Sequence, residues 1–316
     1  MTTELVILGT AGGPIPIPHR AGTSSALVVD DVVYVIDCGR GSPSRFVEAG
    51  LDFSALGGIL LTHLHVDHVG DLPGMLLYPW GTSPAPIDVW GPGSPTSLPH
   101  GEAPFIRHTL MNPDDPVPGT SAFVARILAA FSYHLNVMPL DLPLPDAAAL
   151  VRAHDILTDR PDEPADDGSE QPAVILHTDA VTISAITVAH GHAHPALAYR
   201  FDTAAGSVVF SGDTRMHGNL VTLAQNADIL VHEVIDLEFL RQHGTAPAGI
   251  ASLKRLHTDV NDIGAVAERA GVTKVVLNHY LPAMPGAVTP ESWASRASAG
   301  FHGTVIAGED GMRITL

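Results

Sequence analysis

Within residues 60–71, LLTHLHVDHVGD, four side chains able to bind a metal, His63, His65, Asp67 and His68, fall inside six residues. The preceding run, Gly58-Ile59-Leu60-Leu61, is apolar and reads as a buried strand. The chain therefore leaves a sheet at Thr62 and turns these groups into a pocket at its edge. A packed core suits such a cluster poorly, because an ionised Asp67 is buried only when it is paired or bound to a cation. In an extended segment His63 and His65 point the same way, and a helical turn starting near Asp67 presents Asp67 and His68 to the same cavity. Two cations could then be held with the carboxylate between them, which makes this a place to activate water.

Other strand-like runs end in the same way. Residues 181–189 (VTISAITVA) lead into AHGHAHP, which offers His190, His192 and His194. One imidazole from a separate segment would complete a metal shell, and His190, directly at the strand terminus, has the most fixed position. Residues 208–214 (VVFSGDT) deliver Asp213 beside Gly212, which permits a tight turn, and Asp213 becomes a candidate for a carboxylate bridging two cations. Residues 226–233 end in His232 and Glu233, and residues 272–277 deliver Asn278, His279 and Tyr280. The repeated placement is a stronger signal than any single motif. Asp37, after residues 26–36, either accepts a hydrogen bond from a metal-binding histidine or caps a turn. Asp71 either continues the site or caps a helix. His100, His108, His134 and His154 lack companion ligands and read as surface or loop residues, with His134, at the end of an amphipathic helix, the one placed to touch substrate.

Composition sets the frame. A chain of 316 residues buries a sizeable core, as one large domain with an insertion. The single cysteine, Cys38, excludes an internal disulfide framework and a cysteine-based zinc site, so the donors must be imidazole and carboxylate, which suit zinc, manganese or iron. The N-terminal MTTELVILGTAGG has no basic leader and no membrane-spanning run, so the expectation is a cytoplasmic chain with no membrane partner. Lys+Arg 16 against Asp+Glu 34 gives a formal charge of −18, and Lys254 and Lys274 are the only lysines. That balance argues against a nucleic-acid partner and for a small substrate, anionic or ester, drawn in locally by bound cations. The helix at 122–133 and the apolar segment 75–80 are candidate material for a homodimer interface.

The elements that must position these groups follow from periodicity. A first strand at 4–10 leads to a hairpin at 26–36 that turns at Asp30-Asp31, then to a short helix at 42–50 and the strand at 58–61. A helix at 72–80 and a strand at 87–90 come next. From about 94 to 175 proline-rich loops surround one helix, 122–133, and the acidic stretch 158–172 reads as an exposed loop or mobile hairpin, an elaboration bordering the pocket. Strands return at 173–177, 181–189, 197–202 and 207–210, followed by helices at 249–257 and 260–270, the latter stopped by Gly271. The two successive halves predict an α+β fold, with two mixed β-sheets packed face to face and helices outside, as a single domain over 1–316. The glycines at 9, 12 and 13 lack dinucleotide-binding spacing and precede prolines rather than a helix.

On these motifs the sequence resembles the metallo-β-lactamase superfold, in the branch containing ribonuclease Z and the arylsulfatase-like and phosphodiesterase-like hydrolases. THLHVDH at 62–68 looks like its H-x-H-x-D-H signature, SGDT at 211–214 like its bridging-aspartate motif, and LNHY at 277–280 like the strand with its last metal histidine. The likeness covers residues 4–93 and 174–316 and implies an αβ/βα sandwich. It implies one zinc on His63, His65, His190 and Asp213, and a second on Asp67, His68, His279 and the same Asp213. The phrase from His190 through Pro195 to Ala198-Tyr199-Arg200-Phe201 is similar to the family's and favours His190, leaving His192 and His194 on the pocket rim. The resemblance also pairs Glu233, after His232, with His257, which would donate to the transition state. Ribonuclease Z proteins hold transfer RNA with a basic, glycine- and proline-rich arm that has no equivalent here.

The resulting expectation is a dinuclear zinc hydrolase acting through a metal-activated hydroxide on a small phosphodiester, with manganese or iron as alternative metals and Asp67, His257 and Glu233 as catalytic groups. The alternatives are a lactone or carboxylic ester hydrolase or arylsulfatase on the same centre, a ribonuclease Z-type endonuclease for tRNA 3′ ends, and a non-catalytic metal-binding module.

Overall fold

Apolar side chains are buried on both faces of the strands. Leu5 and Ile7 of the first strand enter one hydrophobic cluster, while Val6 and Leu8 enter another. Successive side chains point to opposite faces, so such a strand needs cover on both sides. The structure, a computed structural model, describes residues 2–83, 86–98, 110–156 and 163–316; His100, His108 and residues 158–162 of the acidic stretch lie outside them.

The strands, numbered in chain order, form two sheets of seven. The first contains β1 (Thr3–Gly9), β2 (Ser24–Val29), β3 (Val32–Ile36), β4 (Leu56–Leu60), β5 (Ile87–Pro92), β6 (Val151–Ile156) and β14 (Arg313–Thr315), in the order β14-β1-β2-β3-β4-β5-β6. The second contains β7 (Ala173–His177), β8 (Val181–Val188), β9 (Ala196–Thr203), β10 (Gly206–Phe210), β11 (Ile229–Ile235), β12 (Lys274–Leu281) and β13 (Thr304–Ala307), in the order β13-β12-β11-β10-β9-β8-β7. Each sheet is antiparallel through four strands, β14-β1-β2-β3 in the first and β7-β8-β9-β10 in the second, and parallel from there on, beginning with β3 beside β4 and β10 beside β11. The parallel strands bring their carboxyl ends to one edge, where open α/β sheets place ligand sites.

Between the sheets lies a cluster that includes Leu27, Leu60, Tyr199, Phe201 and Phe210. Helices Ser42–Glu48, Leu72–Leu77 and Thr120–Ala130 cover the outside of the first sheet through Phe46, Met75 and Val124, and helices Gly218–Leu223, Ile263–Ala270 and Pro290–Ala297 cover the second. The expected layering of helix, sheet, sheet and helix is what forms.

The expected hairpin forms, and other features differ from expectation. The hairpin turns at Asp30 and Asp31, both at positive φ (46° and 71°), which matches the twist of the flanking strands. β6 was hidden because VRAHDI is an edge strand with little apolar alternation; Arg152 and His154 there both reach Asp88 on neighbouring β5. The described part of the acidic stretch is tied down rather than free, with Glu170 accepting from Thr187 N (3.2 Å) and Asn219 Nδ2 (3.0 Å). Met75, Leu76, Leu77 and Trp80 are buried against the first sheet, so of the suggested interface segment 75–80 the large side chain left outside is Tyr78. Among the described residues no single helix is long and apolar enough to cross a membrane.

The two sheets are tied together where the histidine cluster begins. Leu197 N of β9 donates to Thr62 O (2.8 Å), and the buried Tyr199 hydroxyl donates to Leu61 O (2.7 Å). Gly212 fills the same gap at φ +56°, where a Cβ would stand 2.5 Å from Leu197 O of its own sheet and 3.0 Å from Thr62 Cβ of the other, so a side chain there would press on both. Tyr199→Phe removes one of these ties without making a cavity. It is expected to lower the unfolding free energy by about 1–2 kcal/mol, read from the urea midpoint; an unchanged midpoint would show that the tie carries no stability.

Candidate metal centre

His63, His65, Asp67 and His68 leave the end of β4, and a turn of helix, Val66–Val69, sets Asp67 and His68 side by side. His63 and His68 are buried, while His65 stays exposed at the mouth. His190 follows β8 and Asp213 follows β10. The ligand atoms of His63, His65 and His190 lie within 4.8 Å of one another, and so do those of Asp67, His68 and His279. Asp213 stands between the two groups, with Oδ2 3.3 Å from His68 Nε2, 3.3 Å from His279 Nε2 and 3.7 Å from His190 Nε2. All seven residues proposed as metal ligands from the sequence therefore meet in one place.

The supports around them fix which nitrogen faces inward. His190 Nδ1 donates to the Leu256 carbonyl (2.8 Å), so its Nε2 presents a lone pair to the site. Asp37, left open between two roles, lies beneath His68: its Oδ2 is 2.8 Å from His68 Nδ1, and it also takes the Thr62 N–H and hydroxyl, each at 2.8 Å. It holds this position at φ 59°. Asp71 instead accepts from Gly41 N (2.5 Å) and anchors a loop. His279 was expected just past a strand end, yet β12 continues to Leu281 and carries His279 on an irregularity, at φ 47° and at a register shift against β11. Gly12 packs against it so closely that a Cβ would stand 2.6 Å from His279 Nδ1. The Leu256 carbonyl, the Thr62 hydroxyl and Gly12 were not singled out from the sequence; of these, only the paired glycines after β1 left a visible trace there.

Glu233 and His257 form a further pair against the same centre, with Glu233 buried and His257 Nδ1 3.9 Å from Asp213 Oδ2. His257 Nδ1 lies 3.1 Å from Glu233 Oε1, which also accepts from Thr214 N (3.1 Å) and Thr258 N (3.2 Å). His192 and His194 line a neighbouring cleft together with His63 and His65. His134 is not part of the site; it packs edge-on against Trp80, with ring centroids 5.7 Å apart. His154 stacks on Trp90 at the far edge of the first sheet.

Burial holds the His63 imidazole well below its ordinary range and takes His190 down to about 4, so both are neutral donors near neutrality. Burial opposes ionisation of Asp67, but the hydrogen bond from His279 and the charges of His68 and His279 outweigh it and bring the carboxyl to about 2. For His257 burial acts downward, and the Glu233 carboxylate overcomes it and lifts the imidazole to about 9. Buried Asp213 is held well below the usual carboxyl range despite desolvation, by His279 and His68.

These residues fit divalent cations. The buried Asp213 Oδ1 and His68 Nε2 make no hydrogen bond, and a buried polar atom without a partner is costly unless something else satisfies it. Imidazole and carboxylate donors in two adjoining groups are the chemistry of a metal-dependent hydrolase, and that is the class of protein that the fold and site define.

The chain belongs to the metallo-beta-lactamase superfamily, whose model matches residues 19–262. It is 31% identical over 317 residues to a ribonuclease Z of Mycobacterium bovis (strain BCG / Pasteur 1173P2), spanning 99% of this chain and 98% of that protein. In fold it is similar to the metallo-beta-lactamase fold protein YhfI from Bacillus subtilis (TM-score 0.66, 16% identity, all of both chains). It is also similar to the short form of human tRNase Z (TM-score 0.65, 18% identity, 98% of both chains).

The relatives overturn one expectation. Acidity was taken to argue against a nucleic-acid partner, yet the chain matches ribonucleases over its full length. Net charge is a sum that ignores position. Asp37, Asp67, Asp213 and Glu233 face imidazoles inside the site, and outer carboxylates such as Asp88, Asp115 and Glu238 pair with arginines. Among the described residues no carboxylate lines the cleft beside the site.

Added zinc or manganese is expected to raise Tm by roughly 5 °C or more over chelator-treated protein, because a ligand that binds only the folded state stabilises it. Asp213→Asn is expected to remove most of that gain. A wild-type Tm indifferent to both metals would contradict the assignment.

Proposed function

We propose that the chain is a ribonuclease Z-type phosphodiesterase that hydrolyses RNA, with precursors of transfer RNA as its substrate class and residues 1–316 acting as one catalytic domain. Full-length similarity to ribonuclease Z supports the substrate. The observation that carries the chemistry is the position of Asp213 Oδ2 between His190, His68 and His279. In this reading His63, His65, His190 and Asp213 hold one zinc, and Asp67, His68, His279 and Asp213 the other; the same donors accept manganese or iron. When bound, such a pair of cations supplies Lewis acidity, making water a nucleophile near neutral pH and offsetting charge on the phosphoryl oxygens.

The chain's own groups do the rest. Asp67 is anionic at neutral pH and is less deeply buried than Asp213, with its side chain 11% exposed against 3%, so it is the carboxylate placed to orient the attacking water and take its proton. Glu233 occupies Nδ1 of His257, which leaves Nε2 as the atom that donates to the transition state or to the leaving oxygen. Two backbone N–H groups hold Glu233 itself, so the pair enters the reaction already oriented.

The test is cleavage of a 3′-extended precursor tRNA by the metal-loaded protein. Asp67→Ala and His257→Ala are each expected to lower kcat by about 10²–10⁴-fold, and Glu233→Gln by a smaller factor, with KM little changed. Equal rates in all four proteins would overturn the roles. Intact RNA in a preparation that still hydrolyses bis-p-nitrophenyl phosphate would overturn the substrate.

A further inference from the structure

We infer that the cleft of about 460 Å³ beside the metal centre is a nucleobase subsite, which receives the base of the nucleotide next to the scissile phosphate. This rests on the RNA-cleaving reading above. His63 and His65, proposed donors to one cation, form part of its lining, so a group bound in it sits immediately beside the reacting phosphate. Its walls come from three segments: Leu64 from the loop after β4, Pro95, Val117, Pro118 and Phe123 from the region between β5 and β6, and Pro195 from the turn after β8. The volume falls within the range of small-molecule sites.

The lining decides what fits. Among the described residues it contains no lysine or arginine to take a phosphate and no carboxylate to take an amine, in a chain whose formal charge is −18. An uncharged, flat, partly polar group matches this wall. A nucleobase is such a group: it stacks on rings and apolar faces and uses its edge for hydrogen bonds. His192 and His194 supply polar atoms to the lining, and the prolines hold the walls with little conformational entropy to lose on binding. Phe123, on helix Thr120–Ala130, packs partly on the hydrophobic cluster of the first sheet and also lines the cleft, which makes its ring the stacking surface.

Phe123→Leu keeps the apolar contact with the core and removes the ring. Metal-loaded wild-type and variant proteins are titrated calorimetrically with adenosine 5′-monophosphate and with ribose 5-phosphate, and equal Tm values for the two proteins serve as the control for folding. The nucleotide is expected to bind the wild type at least about tenfold more tightly than the sugar phosphate, and most of that advantage is expected to vanish in Phe123→Leu. Equal affinity for the two ligands in the wild type, or an advantage untouched by the variant, overturns the subsite. The two readings fail separately. A base advantage in a protein that leaves RNA intact supports the subsite and sinks the RNA reading, while RNA cleavage without a base advantage does the reverse.

Discussion

Four carboxylates, those of Asp37, Asp67, Asp213 and Glu233, converge where the two sheets end, and three of them are buried to within 4% of complete. Burying negative charge without compensation is expensive. Among the described residues no lysine or arginine pairs with them; the groups that face them are imidazoles, His68 against Asp37, Asp67 and Asp213, His279 against Asp67 and Asp213, and His257 against Glu233. An imidazole offsets charge only while protonated, and burial drives His63 and His190 toward the neutral form. Only His68 and His257 are lifted above the ordinary imidazole range by the carboxylates beside them, so four carboxylates face fewer protonated rings and the balance is an excess of negative charge. Divalent cations would resolve that imbalance, and the rest of the structure serves to hold these groups in place.

The holding is done by the sheets. Because each half of the chain builds a sheet that changes from antiparallel to parallel, the carboxyl ends of β3, β4, β10 and β11 reach one edge together. Their close approach leaves no room for side chains at Gly212 and Gly12 and is tied by Leu197, Thr62, Leu61 and Tyr199. Asp37 and the Leu256 carbonyl then fix the rings of His68 and His190, so that ring orientation as well as ring position is set by groups outside the donor sets.

Much of this could be read from residue order alone. Four donors in six residues after an apolar run, and the recurrence of donors after later runs, located His63 through His68, His190 and Asp213, because period-2 burial and abrupt polarity at a strand end are both local signals. His279 was named for the right segment with the wrong local geometry: a bulge inside β12 depends on pairing with β11 and leaves no mark in composition. The edge strands β6, β13 and β14 are short or half exposed and lack the apolar alternation that reveals central strands. The role of Asp37 depends on a ring 31 residues away, and that of Glu170 on Thr187 and Asn219, contacts that only the folded chain defines. Net charge misled most, since it averages over carboxylates that the fold directs into the site or into ion pairs.

The central claim is a two-cation centre shared through Asp213. Anomalous diffraction above the zinc edge, from crystals of protein purified with zinc, tests it directly. Two peaks are expected in each chain, one among His63, His65 and His190 and the other among Asp67, His68 and His279, with the Asp213 carboxylate touching both. A single peak, or two peaks that leave Asp213 bound to neither, would contradict it.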